Sequence, residues 1–444
     1  MDTAVEQSPA PATTADLPSG ALALATRVGK GISVPFWICA SRIIFGLIFA
    51  HLVIVLFPQA RQHLIGATLN NGNWLGAFDR WDSAYYLAIS SHGYTPFLVA
   101  TDHVPVFFPG YPLLITFVRG LTFGTLSSLD AALAVSWIAF IAASVLLYRL
   151  AERRFGTRVA LIATVLFCWV PISFFFMAPY SEALFACEIV LFLTFLERRW
   201  FLGAALVAAY ASATSPESAA LSIALMVTML LARQGILRVA ACGAISVAGI
   251  TGYVLYLWAQ LGHPFLFLTQ QTFWKRTEHF PFVGLYRNVL ALQHYVTGPG
   301  SPSPGGVYPT FTNIKWVWIL DDAALVLASI LVLWLGWLTV QRWRAHRAPT
   351  LALPTEKAPI PIAYVVVAFL IVGLATVTTI APYAAPQWAS SEGEARFVGV
   401  VMPLYVSGAL AVRRWASLTS LAIGGFVVVT LVFQALFNLG YWIT

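Results

Sequence analysis

Apolar runs of about 20 residues alternate with short polar or charged segments along most of the chain. Because an α-helix rises 1.5 Å per residue, about 20 apolar residues cross the hydrocarbon core of a bilayer. The pattern therefore predicts an all-α polytopic membrane protein with about eleven transmembrane helices. The predicted spans are residues 35–57, 130–150, 159–178, 180–196, 201–214, 217–231, 236–260, 316–340, 361–380, 397–412 and 417–442.

The composition agrees with a membrane location. Hydrophobic residues make up 59% of the 444 residues and charged residues only 10%, whereas roughly a quarter of the residues in soluble domains are charged. The sequence also contains no Gly-rich phosphate loop and no nucleotide-binding alternation of strands and helices. These observations argue against an ordinary soluble enzyme that binds a nucleotide sugar. We expect no nucleic-acid partner.

The domain organisation follows from hydropathy and charge. Residues 1–30 are rich in Ala, Pro, Thr and Ser, which predicts a disordered cytoplasmic tail before a single transmembrane domain at 31–444. With the N-terminus in the cytoplasm, most Lys and Arg residues lie in cytoplasmic loops, as the positive-inside rule requires. Counting residues 104–124 as a span would reverse this distribution. We therefore interpret that segment as an embedded or surface helix within a first external loop, residues 58–129.

Ionisable residues gather in the external loops, and the first loop is the most informative. Asp79 and Asp82 are three residues apart, so on a helix both carboxylates would share one face. Trp81 and Tyr85 surround them with rings suited to a sugar or to the membrane interface. From composition alone, an interfacial helix with solvated acids explains this loop equally well. The other external candidates are His103, Tyr180, Glu182, Glu217, Arg396 and, in a second large loop at 261–315, His263, Trp274, Lys275 and Arg276.

Several of these candidates have a structural explanation as well. Arg396 opens a helix, where an interfacial anchor is common, and Lys275 and Arg276 have the character of a solvated loop pair. Glu182 and Glu217 open helices, where the helix dipole stabilises an acid. The spacing of the histidines matches no metal signature. We therefore expect no cofactor, although the sequence leaves a divalent cation open.

Four blocks of the sequence resemble PIG-V-type mannosyltransferases, a family of membrane enzymes with bacterial relatives. The first external loop is similar to the first luminal loop of that family. The motifs that carry the resemblance are Trp81-Asp82, Tyr85-Tyr86, His92-Gly93-Tyr94 and residues 107–112, then Tyr180-Ser181-Glu182, Gly262-His263-Pro264 with Trp274, and Glu394-Ala395-Arg396. The segment from Thr214 to Glu217 departs from the family pattern, which leaves the substrate contacts of that junction in doubt.

The resemblance implies a GT-C-type glycosyltransferase fold with an active site on the external face. It also implies a polyprenyl-phosphate donor, with mannose as the sugar, and an inverting displacement. In this hypothesis Asp82 is the general base and Asp79 the runner-up, while Arg396 with Lys275, Arg276 or His263 stabilises the leaving phosphate. The remaining candidates would bind substrate: Trp81, Tyr85, His103, Tyr180, Glu182, Glu217 and Trp274.

The acceptor and the compartment stay open at this point. A lipid glycan, a polysaccharide or an exported protein would each supply a hydroxyl, and membrane lipids surround the chain. A bacterial plasma membrane with an outward-facing site is expected, and an endoplasmic reticulum membrane with a luminal site is the alternative. Two other functions also fit many spans: a transporter or flippase of lipid-linked or small substrates, and a non-catalytic subunit of a glycosylation complex. One-sided polar clusters and the lack of an internal repeat argue against the transporter.

Overall fold

The computed structural model describes residues 19–57, 74–273, 276–278, 280, 282–297, 315–347, 360–380 and 394–440. The first helix, α1, runs from Ser19 to Leu56 and contains Pro35. It therefore begins inside the segment for which the sequence predicts a disordered tail, and residues 1–18 of that tail lie outside the described residues.

The all-helical, membrane-type architecture is confirmed, but the number of spans is not. Within the described residues, four stretches are long and apolar enough to cross a membrane: Gly31–Leu56, Ser128–Phe155, Asp322–Ala345 and Ala416–Asn438. A fifth is possible if a helix pair bent by 48° forms one span. Five further apolar helices have only 10–17 residues, so the predicted count of eleven requires some spans to be made of shorter or broken helices.

The described part of the segment predicted as the first external loop is a series of short helices. A 3-10 helix at Trp74–Phe78 leads into α2, and a second one at Val104–Val106 precedes α4. The α-helices of this region are α2 (Asp82–His92), α3 (Pro96–Thr101) and α4 (Gly110–Leu121). At 1.5 Å per residue, α4 is about 18 Å long, shorter than the bilayer core of about 30 Å. Whether residues 104–124 lie outside a span stays a prediction.

The centre of the fold is α5 (Ser128–Phe155), which packs against α1, α4, α6 and α7. The next two helices are α6 (Thr157–Cys168) and α7 (Glu182–Glu197), and turns connect them. The span predicted at 159–178 is therefore wrong beyond Cys168. Pro171 explains the early end, because proline disfavours the helical conformation of the preceding residue and lacks an N–H.

Two short helices, α8 and α9, are followed by a bent pair, α10 and α11. α8 (Phe201–Thr214) is joined through a 3-10 turn at Pro216–Ser218 to α9 (Ala219–Leu231). α10 (Ile236–Ser246) and α11 (Ala248–Leu261) replace the single span predicted at 236–260, and they meet at a 48° bend. Both α10 and α11 pack against α8.

The C-terminal half continues the helical arrangement and adds one small strand pair. β1 (Arg276–Glu278) pairs with β2 (Thr378–Ile380) in antiparallel register, with Thr277 opposite Thr379. This pairing joins the segment predicted as the second external loop to the residues after α15, a contact that the sequence did not predict. The helices of this half are α12 (Leu266–Thr269), a 3-10 turn at Gln270–Thr272, α13 (Val283–Thr297), α14 (Lys315–Arg347), α15 (Ile362–Ala375), α16 (Glu394–Gly399), α17 (Met402–Val412) and α18 (Ala416–Asn438).

Candidate active site

Three helices bring their charged residues together at one point. Asp82 is the first residue of α2, Glu182 is the first residue of α7, and Arg396 lies in the short helix α16. Arg396 Nη1 donates a hydrogen bond of 2.7 Å to Asp82 Oδ2. Its Nε lies 2.8 Å from Glu182 Oε1, but the angle of that contact makes it an ion pair rather than an aligned hydrogen bond.

This cluster is buried. The exposed fraction is 7% for Asp82, 6% for Glu182 and 8% for Arg396. Burial by itself lowers the pKa of Arg396, but the Glu182 and Asp82 carboxylates outweigh that effect, so the pKa is raised above its ordinary value. The Arg396 guanidinium therefore stays charged and is the fixed cation of the site.

Aromatic rings surround the guanidinium on its other sides. Its carbon lies 5.5 Å from the ring centres of Phe175 and Tyr180, and 5.3 Å from that of Phe397. A cation over aromatic faces gains electrostatic stabilisation from the rings. The rings also exclude water, which strengthens every charge interaction in the cluster.

The cluster contains more carboxylates than cations. Two carboxylates share the Arg396 guanidinium, and the charge of Glu217 acts on Glu182 as well. Glu182 Oε2 is buried and has no hydrogen-bond partner within the described part of the chain. A buried acceptor of this kind is costly to leave unpaired. The site can therefore accept a further hydrogen-bond donor, such as a substrate hydroxyl.

Asp79 does not belong to the same helix as Asp82. α2 begins only at Asp82, because Trp81 has a left-handed φ of 55° that interrupts the helical path. The expectation that both carboxylates share one helix face is therefore wrong. Asp79 is buried and accepts a 2.7 Å hydrogen bond from the Ser83 hydroxyl. This bond stabilises the turn that contains Asp82.

A buried arginine anchors the same turn to the last helix, a contact that sequence reasoning missed. Arg80 Nη1 donates to the carbonyl of Gly76 at 2.7 Å, and its Nη2 donates to that of Asn438 at 3.3 Å. The Asn438 side chain donates in return to the carbonyl of Ala77 at 3.0 Å. Burial lowers the pKa of Arg80 to about 10. Asn438, a polar residue at the end of a largely apolar helix, was a weak sequence signal for this contact.

Aromatic residues of the predicted first loop and of the segment before α7 form a group beside the ion-pair cluster. Tyr85 stacks on Phe107, with ring centres 4.8 Å apart and planes inclined by 21°. The neighbouring Tyr86 hydroxyl lies 3.0 Å from the Ser181 hydroxyl, which links α2 to the segment before α7. Tyr180 is fully buried, and its hydroxyl contacts the backbone on both sides of Trp81.

Other predicted residues lie outside the ion-pair cluster. The His103 ring stacks on Phe273 with centres 3.6 Å apart. His263 is exposed just after α11. Glu217, half-buried in the 3-10 turn, accepts a hydrogen bond from the Ser215 hydroxyl.

Apart from His263, the side chains predicted for the site in the second large loop lie outside the described residues. Trp274 and Lys275 lie outside the described residues. The backbone of Arg276 forms the start of β1, and its side chain lies outside the description. Among the residues that the structure does describe, no group of three His, Cys, Asp or Glu side chains is arranged to hold a metal ion.

A cavity of about 610 Å³ opens between α2, α4, α8 and α11. Ile89 of α2 and Gly93, the residue after that helix, form one side of it. Three tyrosines in its wall direct their hydroxyls to backbone carbonyls: Tyr94 to Phe107 at 2.6 Å, Tyr210 to Gly110 at 2.8 Å and Tyr253 to Pro105 at 2.7 Å. Because these hydroxyls are already bonded, the wall offers mainly apolar surface to an occupant.

Comparison with known proteins finds a family match over the part of the chain that contains most of this site. Residues 51–234 match the family described as Mannosyltransferase (PIG-V). The matched range includes Asp82 and Glu182 but not Arg396. The resemblance found in the sequence is therefore confirmed over that range.

Individual relatives match a shorter stretch. The chain is 36% identical over 129 residues to GPI alpha-1,6-mannosyltransferase 2 of Cricetulus griseus, covering 27% of this chain and 24% of that protein. The human protein of the same name is 34% identical over 125 residues, or 25% and 23% of the two chains. GPI mannosyltransferase 2 of Drosophila pseudoobscura pseudoobscura is 32% identical over 120 residues, or 25% of each. The match thus spans about a quarter of the length of these relatives.

Among solved structures, the chain is similar to ArnT from Cupriavidus metallidurans bound to undecaprenyl phosphate. The TM-score is 0.45 at 14% sequence identity, and the superposition covers 88% of this chain and 62% of ArnT.

Proposed function

We propose that this chain, whose residues 51–234 match the PIG-V mannosyltransferase family, is a membrane glycosyltransferase. It moves a sugar, mannose by family resemblance, from a polyprenyl-phosphate donor to a hydroxyl of an acceptor on the non-cytoplasmic face. The acceptor is a lipid glycan, a polysaccharide or a protein. The proposed location is the outer face of a bacterial plasma membrane.

The observation that carries this proposal is the buried contact of 2.7 Å between Asp82 and Arg396. Glycosyl transfer from a lipid phosphate needs a base for the acceptor hydroxyl and a cation for the departing phosphate. The chain supplies both in one water-excluded place, at the start of α2 and in α16. Asp82 also lies in the range that matches the family.

In the proposed reaction the acceptor oxygen attacks the anomeric carbon from the side opposite the phosphate. The new carbon–oxygen bond forms as the bond between that carbon and the phosphate oxygen breaks, which inverts the configuration. Asp82 takes the acceptor proton, and the polyprenyl phosphate leaves with the bonding electron pair. Arg396 stabilises the charge that develops on the phosphate.

The ion pair between Asp82 and Arg396 also suggests an order of events. While Asp82 Oδ2 accepts the hydrogen bond from Arg396 Nη1, that oxygen is occupied and cannot take the proton of an acceptor hydroxyl. A donor phosphate that takes over the guanidinium releases Asp82 to accept a proton. Glu182, which contacts the Nε of Arg396, keeps the guanidinium in place during this exchange. Donor binding therefore precedes removal of the acceptor proton.

The apolar cavity supports a lipid-linked donor. Ile89 in its wall stands seven residues after Asp82 on α2, which corresponds to about 10 Å along the helix axis. A donor with its sugar at Asp82 would place the first units of its chain at this distance. Apolar lining suits an isoprenoid chain, because its burial removes hydrocarbon from water.

The test is sugar transfer in membranes that contain the parent chain, the Asp82→Asn variant or the Asp102→Asn variant. Asp102 is a matched control, because its carboxylate lies in the same external loop but accepts a hydrogen bond from Thr101. With radiolabelled polyprenyl-phosphate mannose and lipid extract as acceptor source, label should move to a new product with the parent and Asp102→Asn only. Equal transfer by Asp82→Asn would remove Asp82 from its role. Ion-coupled uptake into vesicles without transfer would instead favour a transporter.

A further inference from the structure

We infer that Tyr180 is a positioning residue, which holds the Asp82 carboxylate against Arg396 by fixing the backbone on both sides of Trp81. This inference rests on the proposed function for its catalytic meaning, but its structural part stands on the geometry alone. It also differs from the expectation, drawn from the sequence, that Tyr180 binds substrate.

The turn before α2 needs an external support. Trp81 has φ 55° and ψ −118°, a combination that costs a residue with a side chain on the order of 1–3 kcal/mol unless its surroundings enforce it. The first N–H groups of any helix also lack partners inside that helix. The N–H of Asp82 is one of these groups, and the Trp81 side chain does not cap it.

The Tyr180 hydroxyl supplies that support from 98 residues away. It accepts a 3.2 Å hydrogen bond from the N–H of Asp82 and donates one of 2.9 Å to the carbonyl of Arg80. The two bonds join the peptide groups that flank Trp81. They hold the turn in its left-handed conformation and direct the first residue of α2, Asp82, toward Arg396.

The tyrosine ring is itself held on several sides. Its centre lies 4.9 Å from that of Phe175, 6.2 Å from Phe437 and 6.3 Å from Tyr86. The guanidinium carbon of Arg396 lies 5.5 Å from the same ring. Tyr180 therefore contacts the cation and the backbone of its carboxylate partner at the same time.

The position of Tyr180 in the chain adds a further link. Two residues later Glu182 begins α7 and contacts the Nε of Arg396. The segment from Tyr180 to Glu182 thus positions both carboxylates that contact the guanidinium. Tyr180 positions Asp82 through its backbone, and Glu182 supplies the second carboxylate itself. This arrangement gives a physical reason why a tyrosine stands beside the acid in this block.

The experiment compares the parent with Tyr180→Phe and with the control Tyr111→Phe. Both variants lose one hydroxyl from a fully buried ring, but the Tyr111 hydroxyl contacts α5, at the carbonyl of Ala132 and the hydroxyl of Ser136. Hydrogen exchange of the Asp82 amide is measured by mass spectrometry on the purified full chain. Steady-state transfer kinetics give kcat and the KM of the donor.

The expected result is specific to Tyr180. In Tyr180→Phe the Asp82 amide should exchange about tenfold faster or more, because the loss of one hydrogen bond at a buried helix start exposes it to local opening. The kcat should fall about tenfold or more while the donor KM changes less than about twofold. Tyr111→Phe should leave the exchange at Asp82 and both kinetic constants near the parent values.

Two results would overturn the inference. Unchanged exchange of the Asp82 amide in Tyr180→Phe would show that the hydroxyl does not hold this turn. A raised donor KM with unchanged kcat would show that the hydroxyl binds substrate instead. If the parent itself transfers no sugar, the proposed function fails, and the exchange measurement still decides whether Tyr180 holds the turn.

Discussion

Asp82 and Arg396 are 314 residues apart in the chain and meet at 2.7 Å in the buried cluster. Arg396 is the better fixed of the two, because Glu182 contacts its Nε and three aromatic rings lie around its guanidinium. The arrangement makes the arginine a rigid cation and, under the proposed function, leaves Asp82 as the partner that a substrate phosphate replaces. This asymmetry leads to separate predictions for Arg396 and for Glu182.

Arg396→Lys should lose most of the transfer activity although it keeps the positive charge. A lysine ammonium is a point charge and cannot reproduce the planar fork that meets Asp82 and Glu182 together. We expect kcat/KM to fall about 100-fold or more, as for the loss of one transition-state donor. Steady-state kinetics with the purified protein measure this change.

The control for that substitution is Arg154→Lys. Arg154 pairs with Glu197 at 2.5 Å near the end of α5, away from the start of α2. This variant should transfer sugar at nearly the parent rate. An Arg396→Lys protein as active as the Arg154→Lys protein would contradict the role given to the guanidinium.

Glu182→Gln should slow the reaction and leave the fold intact. Glutamine keeps the shape of the side chain but removes one of the two charges that hold Arg396, so the guanidinium would bind Asp82 alone and more tightly. A base held more tightly is less available, and we expect kcat to fall about tenfold. The comparison is Glu188→Gln, a change on the same helix at a buried acid that accepts a hydrogen bond from Thr214. Equal kcat values for the two variants would argue against this role of Glu182.

Sequence patterns predicted the helices where local information is sufficient. The bounds of α8 match the predicted span at 201–214, because its apolar run lies between a charged loop and the Ser215-Pro216 break. The bend between α10 and α11 was missed, because residues 236–260 are mostly apolar and contain no proline.

The site was predictable as a set of residues but not as a geometry. Asp82, Glu182 and Arg396 were each candidates, yet nothing in the sequence specified that one guanidinium bridges two carboxylates. The conformation of Trp81 was missed for the same reason. Its support comes from Tyr180, which is distant in sequence, whereas helix periodicity reports only on neighbours three or four residues away. The contacts of Arg80 with Asn438 are also long-range and left no local pattern.

Asn438→Ala should destabilise the protein and also slow transfer. The substitution removes the 3.0 Å hydrogen bond to the carbonyl of Ala77 and leaves that buried acceptor unpaired, at a cost of about 1–3 kcal/mol. The 3-10 turn before Asp82 then loses one of its two hydrogen bonds to α18, while the bond from Arg80 to the backbone carbonyl of Asn438 remains. Thermal unfolding in detergent measures the first effect and transfer kinetics the second.

Thr430→Val separates these two effects. The Thr430 hydroxyl donates to the carbonyls of Trp169 and Val170, so its loss also weakens the packing of α18 but does not touch the turn. We expect a lower unfolding temperature with kcat unchanged. If Asn438→Ala behaved in the same way as Thr430→Val, the contact with Ala77 would be purely structural.

Gly252→Leu tests whether the cavity holds the donor chain. A Cβ at Gly252 meets nothing within 4 Å, and Gly252 lies in the cavity wall, so a side chain can be added at this position of the wall without a clash at its Cβ. The added side chain occupies space that a long isoprenoid chain would need. Each methylene it displaces removes about 0.8 kcal/mol of burial, so the KM of a long-chain donor should rise about tenfold while kcat stays the same.

A donor with only two isoprene units should be affected much less, because its chain fills less of the cavity. Thr251→Leu, which changes the exposed neighbour on the same helix, should leave both KM values near those of the parent. An equal rise in KM for both donors would mean that the leucine disturbs the sugar site, and no rise for either would place the donor chain elsewhere in the membrane.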